Sequence, residues 1–153
     1  MSTIVVGVDG STGAQEALRF AVEEARLRGA TLRLVTAWHI PPIAYSGGFV
    51  GPFDRRDCEQ SAEAACEKAL AAVREQTTDL EVERVTGEGQ AAHVLLQQAK
   101  DADLLVVGTR GHGGFAGLLL GSVSQQCAQH ATCPVVIVND PARRAEPVEQ
   151  RSG

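Results

Sequence analysis

The chain has 153 residues, 44% of them hydrophobic, which suits one domain with its own core and leaves no room for a second. Its 14 basic and 19 acidic residues give a net charge of −5, which argues against a nucleic-acid footprint or a polybasic membrane surface. No segment has the length and apolarity of a membrane span, and the apolar run at residues 4–8, stopped by Asp9 and preceded by no basic stretch, does not read as a secretory signal.

Short apolar runs alternate with helical patterns, the mark of repeated βα units on a parallel sheet. Residues 3–8 predict a strand. Thr12-x-x-Gln15 has the form of a capping box and opens a helix with Ala17, Ala21 and Ala25 on one face, closed by Gly29; either Ser11 or Thr12 serves as its N-cap. A second strand follows over Thr31–Trp38, then an alanine-rich helix over 55–76, a strand over 80–86, a helix over 90–100 and a strand over 102–107. Ser122-Val-Ser-Gln125 repeats the capping-box form, so a helix is expected over 122–131, before a last strand Val135–Val138. The class is α/β, with helices on both faces because a parallel sheet buries both. Periodicity alone leaves the strand order open.

Residues 39–53 carry Pro41, Pro42, Gly47, Gly48, Gly51 and Pro52 and are too long and too broken for a connector; after the second strand they are expected to form a lid over a site, with a disordered segment as the competing reading. Residues 141–153 read as a disordered tail after a domain spanning 1–140. Cys58, Cys66, Cys127 and Cys133 form no C-x-x-C, and Cys58 and Cys66 on one helix stand about 12 Å apart, too far to bridge. Free thiols suit a reducing cytoplasm. Cys127 and His130 lie at i, i+3 without a third partner, a poor nucleophile arrangement, and His39, His93, His112 and His130 show no metal-ligand spacing.

The most informative stretch is residues 108–122, GTRGHGGFAGLLLGS. Glycines at 108, 111, 113, 114, 117 and 121 let successive amides turn toward one anion, and the helix expected from Ser122 points its positive end at the same place. A ligand-free flexible loop is the competing reading. No Gly-x4-Gly-Lys-Ser/Thr occurs, so there is no P-loop lysine; Gly111-x-Gly113-x-x-Ala116 fits the loose dinucleotide pattern but neither opens directly into a helix nor has an acid about twenty residues on.

The spacing Gly108-x2-Gly111-x9-Gly121-Ser122 resembles the nucleotide-binding signature of the universal stress protein family. The likeness extends upstream to IVVGVDGS at residues 4–11 and downstream to CPVVIV at residues 133–138, so that residues 3–139 are covered by three motifs in order. The resemblance implies a small cytoplasmic protein, usually dimeric and often able to bind ATP, with sheet order 3-2-1-4-5. That order reverses between the first and fourth strands, and a ligand of an open α/β sheet sits outside the carboxyl ends at such a switch point, where Asp9 and Gly108 stand.

Candidate binding residues follow from that placement. Asp9, beside Gly10 and Ser11, is placed to accept ribose hydroxyls or to hold a metal through water; its other reading is a turn aspartate that satisfies nearby amides. Gly108, Gly111 and Gly121 form the cradle, Arg110 is divided between phosphate and solvent, and Ser122 between phosphate and its own helix cap. Val123 offers a backbone amide. Val107 and Ala37 wall the base, with Ala37 backbone groups reading adenine's edge on the strength of the resemblance, and Trp38 is expected beside that pocket. The expected ligand is ATP, and Mg2+ with the phosphates needs few protein ligands.

Regulation through nucleotide binding is the expected role. The rivals are a slow ATPase or phosphotransferase, disfavoured by the missing lysine and base, and a dimeric interaction protein that ignores nucleotide or takes cyclic AMP. Val135–Val138 is expected to be the outer strand and to pair with a second copy as a homodimer.

Overall fold

The computed structural model describes residues 2–40, 55–109 and 120–139. Five strands and four helices follow one another as β1 (Thr3–Gly7), α1 (Thr12–Arg28), β2 (Thr31–Trp38), α2 (Arg55–Ala71), β3 (Val82–Glu88), α3 (Ala91–Gln98), β4 (Leu104–Gly108), α4 (Ser122–His130) and β5 (Val135–Val138). Apart from His39 and Ile40, the lid expected over 39–53 lies outside the described residues, as does the tail expected over 141–153.

Helix α1 shows how sequence sets an element's limits. Ala14, Ala17, Leu18, Ala21, Val22 and Ala25 form its buried stripe at i, i+3, i+4 spacing. Gly29 ends it in the left-handed region at φ 63°, which lets the amides of Gly29 and Ala30 both reach the Ala25 carbonyl. The chain is then free to enter β2.

The strands make one parallel sheet in the order β3-β2-β1-β4-β5. Neighbours β1 and β4 are far apart in sequence, and the direction of winding reverses between them. Side chains alternate across the sheet. Ile4, Val6, Leu32, Leu34, Leu104 and Val106 pack under α1 and α2, where Leu18, Val22, Cys66 and Ala69 meet them. Val5, Val35, Leu105 and Val107 pack on the other face with Val94 and Leu95 of α3 and Cys127 of α4. Arg33 holds α3 in place near its carboxyl end: its guanidinium donates to the Gln98 carbonyl at 2.8 Å and pairs with Asp101 and Glu83.

Several boundaries differ from the sequence reading. Helix α2 stops at Ala71 rather than at 76, and Arg74–Thr77 form a 3-10 turn after the core residue Val73. The third strand runs two residues later than expected. Leu80 belongs to the preceding turn, its amide donating to the Thr77 carbonyl while its side chain packs on the α1–α2 core. Because β3 is an edge, it tolerates the exposed Glu83, Arg84 and Glu88 that weakened its pattern. Helix α3 is shorter than 90–100 at both ends, and β4 begins at Leu104 rather than at 102.

Candidate functional site

At the carboxyl end of β1 the chain makes a tight turn into α1. Gly10 sits at φ 85°, a conformation that costs little without a Cβ. One oxygen of Asp9 accepts the Ser11 amide at 2.9 Å and the Ser11 hydroxyl at 2.6 Å, and the Ser11 oxygen in turn accepts the Ala14 amide at 3.1 Å. Asp9 therefore orders the turn that starts the helix. Ser11 is the N-cap, and Thr12 is already helical; the expected box Thr12-x-x-Gln15 does not form, because the Gln15 side chain instead donates to the Ala69 carbonyl of α2.

The carboxyl end of β4 faces this turn across the switch point. There the Thr109 amide donates to the Val138 carbonyl, and the Thr109 carbonyl accepts the Gly121 amide at 2.6 Å. The Thr109 hydroxyl is buried, with no hydrogen-bond partner among the described residues. Gly121 is the N-cap of α4 at φ −74°, ψ 169°, an extended conformation open to any residue. The second expected capping box is also absent: Ser122 is the first helical residue, exposed, and the Gln125 side chain donates to the Leu120 carbonyl. Among the described residues no side chain caps α4. Its first amides lack partners within the helix, and neither α4 nor α1 carries an acid in its first turn to offset its positive end.

Between these two ends lies a cleft lined by Asp9, Ser11, Ala37, Val107, Gly108 and Val123, six of the residues expected there. Gly10, Gly121 and Ser122 adjoin it in sequence without lining it, and Arg110 and Gly111 lie outside the described residues. Its volume is about 90 Å³, several times the roughly 10–15 Å³ that one water needs. Sequence reasoning missed Gly7, Val35, Ala91 and Leu95, which build the apolar inner end. A Cβ on Gly7 would meet the Leu95 methyls at 3.1 and 3.3 Å, so this glycine gives Leu95 its seat. Strand alternation points to Val35 and Gly7; nothing local marks Leu95.

Trp38 is not beside the cleft. It follows Ala37, and alternation turns it to the α2 face, where the Arg55 guanidinium lies 5.4 Å from its ring centre and pairs with Glu88 through two hydrogen bonds. The thiols are free, and Cys127 is wholly buried, its pKa pushed up to about 11 by burial, while His130 is exposed. That pair offers no activated nucleophile. Among the described residues no group of His, Cys, Asp or Glu is placed to hold a metal ion, and no helix is long and apolar enough to cross a membrane.

The profile of the universal stress protein family matches residues 1–139. The chain belongs to this family. A universal stress protein of Mycolicibacterium smegmatis is 40% identical over 139 residues, 88% of this chain and 45% of that protein. One from Mycobacterium tuberculosis is 34% identical, and the chain again covers 45% of it. The chain thus spans about half the length of the curated relatives it matches. Among solved structures, a universal stress protein in complex with cAMP is 29% identical with a TM-score of 0.65, covering 90% of this chain and 95% of its own. The strand order and the helices on both faces of the sheet are those expected of a universal stress protein.

Proposed function

We propose that this universal stress protein binds an adenine nucleotide, ATP in particular, in the cleft between the ends of β1 and β4, and acts by nucleotide-dependent regulation in the stress response. The observation that carries this reading is the cleft's mixed lining. Val35, Ala37, Leu95 and Val107, which share one apolar cluster, offer a wall for a flat base, whereas Asp9 and Ser11, joined in the turn after β1, offer polar groups for a sugar. Beside them the uncapped amino end of α4 supplies amides and a positive field for phosphate. On the strength of the glycine signature, Gly108, Arg110, Gly111, Gly121, Ser122 and Val123 are the phosphate ligands of this proposal. The cAMP complex of a relative supports an adenine nucleotide as the ligand class.

The role is binding rather than turnover. Asp9, the titratable side chain of the cleft, has an oxygen held by Ser11 as part of the turn, a structural engagement rather than a general base's. Native mass spectrometry of the purified protein, followed by calorimetric titration with ATP, tests the proposal. We expect co-purified or added adenine nucleotide at one per chain with micromolar affinity, near 8 kcal/mol. ADP alone in the purified protein would favour hydrolysis, and an unfilled site with no titration heat would favour a nucleotide-independent interaction protein.

A further inference from the structure

Ser124, in the first turn of α4, is only 2% exposed. Its hydroxyl oxygen lies 3.0 Å from the Thr109 carbonyl and 3.0 Å from the Gly121 carbonyl, two acceptors that share its single proton. The Thr109 carbonyl accepts the Gly121 amide as well. Three groups therefore meet at one point: the end of β4, the N-cap of α4 and a side chain from that helix's first turn. Thr109 is also tied to β5 through its amide and Val138. The ends of the glycine-rich segment are thus joined at their base.

Nothing in the glycine signature requires this serine. Ser124 shares the buried face of α4 with Cys127, three residues on, where an apolar residue would pack as well. A buried hydroxyl is retained there at a desolvation cost that only hydrogen bonds offset. What those bonds set is the position of α4's amino end against the carboxyl end of β4. Val123, beside Ser124, lines the cleft, and its amide, in the first turn, has no partner within the helix.

We propose that Ser124 is a positioning residue for phosphate recognition: through Thr109 and Gly121 it holds the open amides of Ser122 and Val123 where the phosphates of a nucleotide must lie. The proposal rests on the nucleotide reading above. Backbone donors recognise an anion only when they are held in place before it arrives, because ordering them on binding reduces the affinity gained.

The test uses the full chain and ATP, with three variants. Ser124→Ala removes the tie, Ser124→Cys keeps the volume but substitutes a weak donor, and Cys127→Ala loosens the same helix face one turn further on without touching the tie. We expect Ser124→Ala and Ser124→Cys to bind ATP about tenfold more weakly by calorimetry, a loss of about 1.4 kcal/mol. Cys127→Ala should melt earlier yet keep wild-type affinity. If Ser124→Ala proves insoluble, Ser124→Cys gives the same comparison. Wild-type affinity in the Ser124 variants overturns the proposal, as does an affinity loss in all three that merely follows their loss of melting temperature. A wild-type protein that binds no ATP overturns the nucleotide reading itself, and this inference with it, before any variant is compared.

Discussion

Gly108 and Gly13 meet backbone to backbone: a Cβ on Gly108 would stand 2.8 Å from the Gly13 carbonyl oxygen and 2.9 Å from its carbon. The glycine that opens the signature is thus demanded by the contact between β4 and the first turn of α1. This contact brings the two halves of the cleft together, since Gly108 lines it from one side and Ala14 from the other.

Gly108→Ala should therefore destabilise the fold as well as the site. The obstacle is backbone, so β4 or α1 must move, at the roughly 1–3 kcal/mol typical of overpacking. Urea denaturation of the variant measures it. Wild-type stability would show that the two elements separate without strain.

The serines at the two helix starts should behave differently. Ser11 caps α1 and is held by Asp9, so Ser11→Ala should cost about 1 kcal/mol of stability and weaken ATP binding. Ser122 is exposed and caps nothing, so Ser122→Ala should leave stability within about 0.5 kcal/mol of wild type. Where its hydroxyl meets a phosphate, the alanine should still weaken ATP by about tenfold, the lower end for a hydrogen bond to a charged group. Melting curves and calorimetry on both variants check this. Equal destabilisation by the two alanines would contradict the assigned N-caps.

This contrast shows where the sequence was legible. Residues 31–38 and 135–138 read correctly as strands because apolar runs and turn residues bound them sharply, and the ends of β1 and β4 followed from the same signals. Neither expected capping box forms: the N-cap of α1 is Ser11, one of the two residues the sequence offered, and that of α4 is Gly121, one residue before the expected Ser122. The pattern marks a helix start but not its register, which depends on the backbone turn before it and on what the glutamine reaches, Ala69 in one case and Leu120 in the other. Leu95, Ser124 and the Gly13 contact were invisible for a related reason. Each acts through a neighbour that only the folded chain brings near, as with Ser124 and Thr109, 15 residues apart.

Cys127 gives the protein an alkaline weakness. Burial raises its folded pKa to about 11 from an ordinary 9.0, so the neutral thiol belongs to the folded state. Its contribution is complete below pH 9, where both states are protonated, and declines as the pH rises, being lost by the time it passes 11. Cys127→Ala should be less stable near neutrality, through the lost packing, but should decline less between pH 9 and 11. Part of the slope will remain, because burial raises Cys66 and Cys133 also. Urea melts at both ends of that range compare the slopes, and an unchanged slope would remove Cys127 as the cause.

The last prediction concerns the open edge of the sheet. Among the described residues strand β5 pairs with β4 alone, and Val135, Val136, Ile137 and Val138 are each only partly buried. Val136 and Val138 lean toward the α1 side and Val135 and Ile137 toward α3 and α4, so apolar surface flanks the free backbone on both faces. Such an edge invites another strand, and a two-fold axis closes the pairing with a second copy of the same strand. We therefore expect a homodimer through β5. A charge at the seam should oppose pairing: Ile137→Arg should give monomer, or insoluble protein where the exposed edge aggregates. Light scattering on the wild-type protein decides first, because a monomer at micromolar concentration would remove the interface before any variant is made.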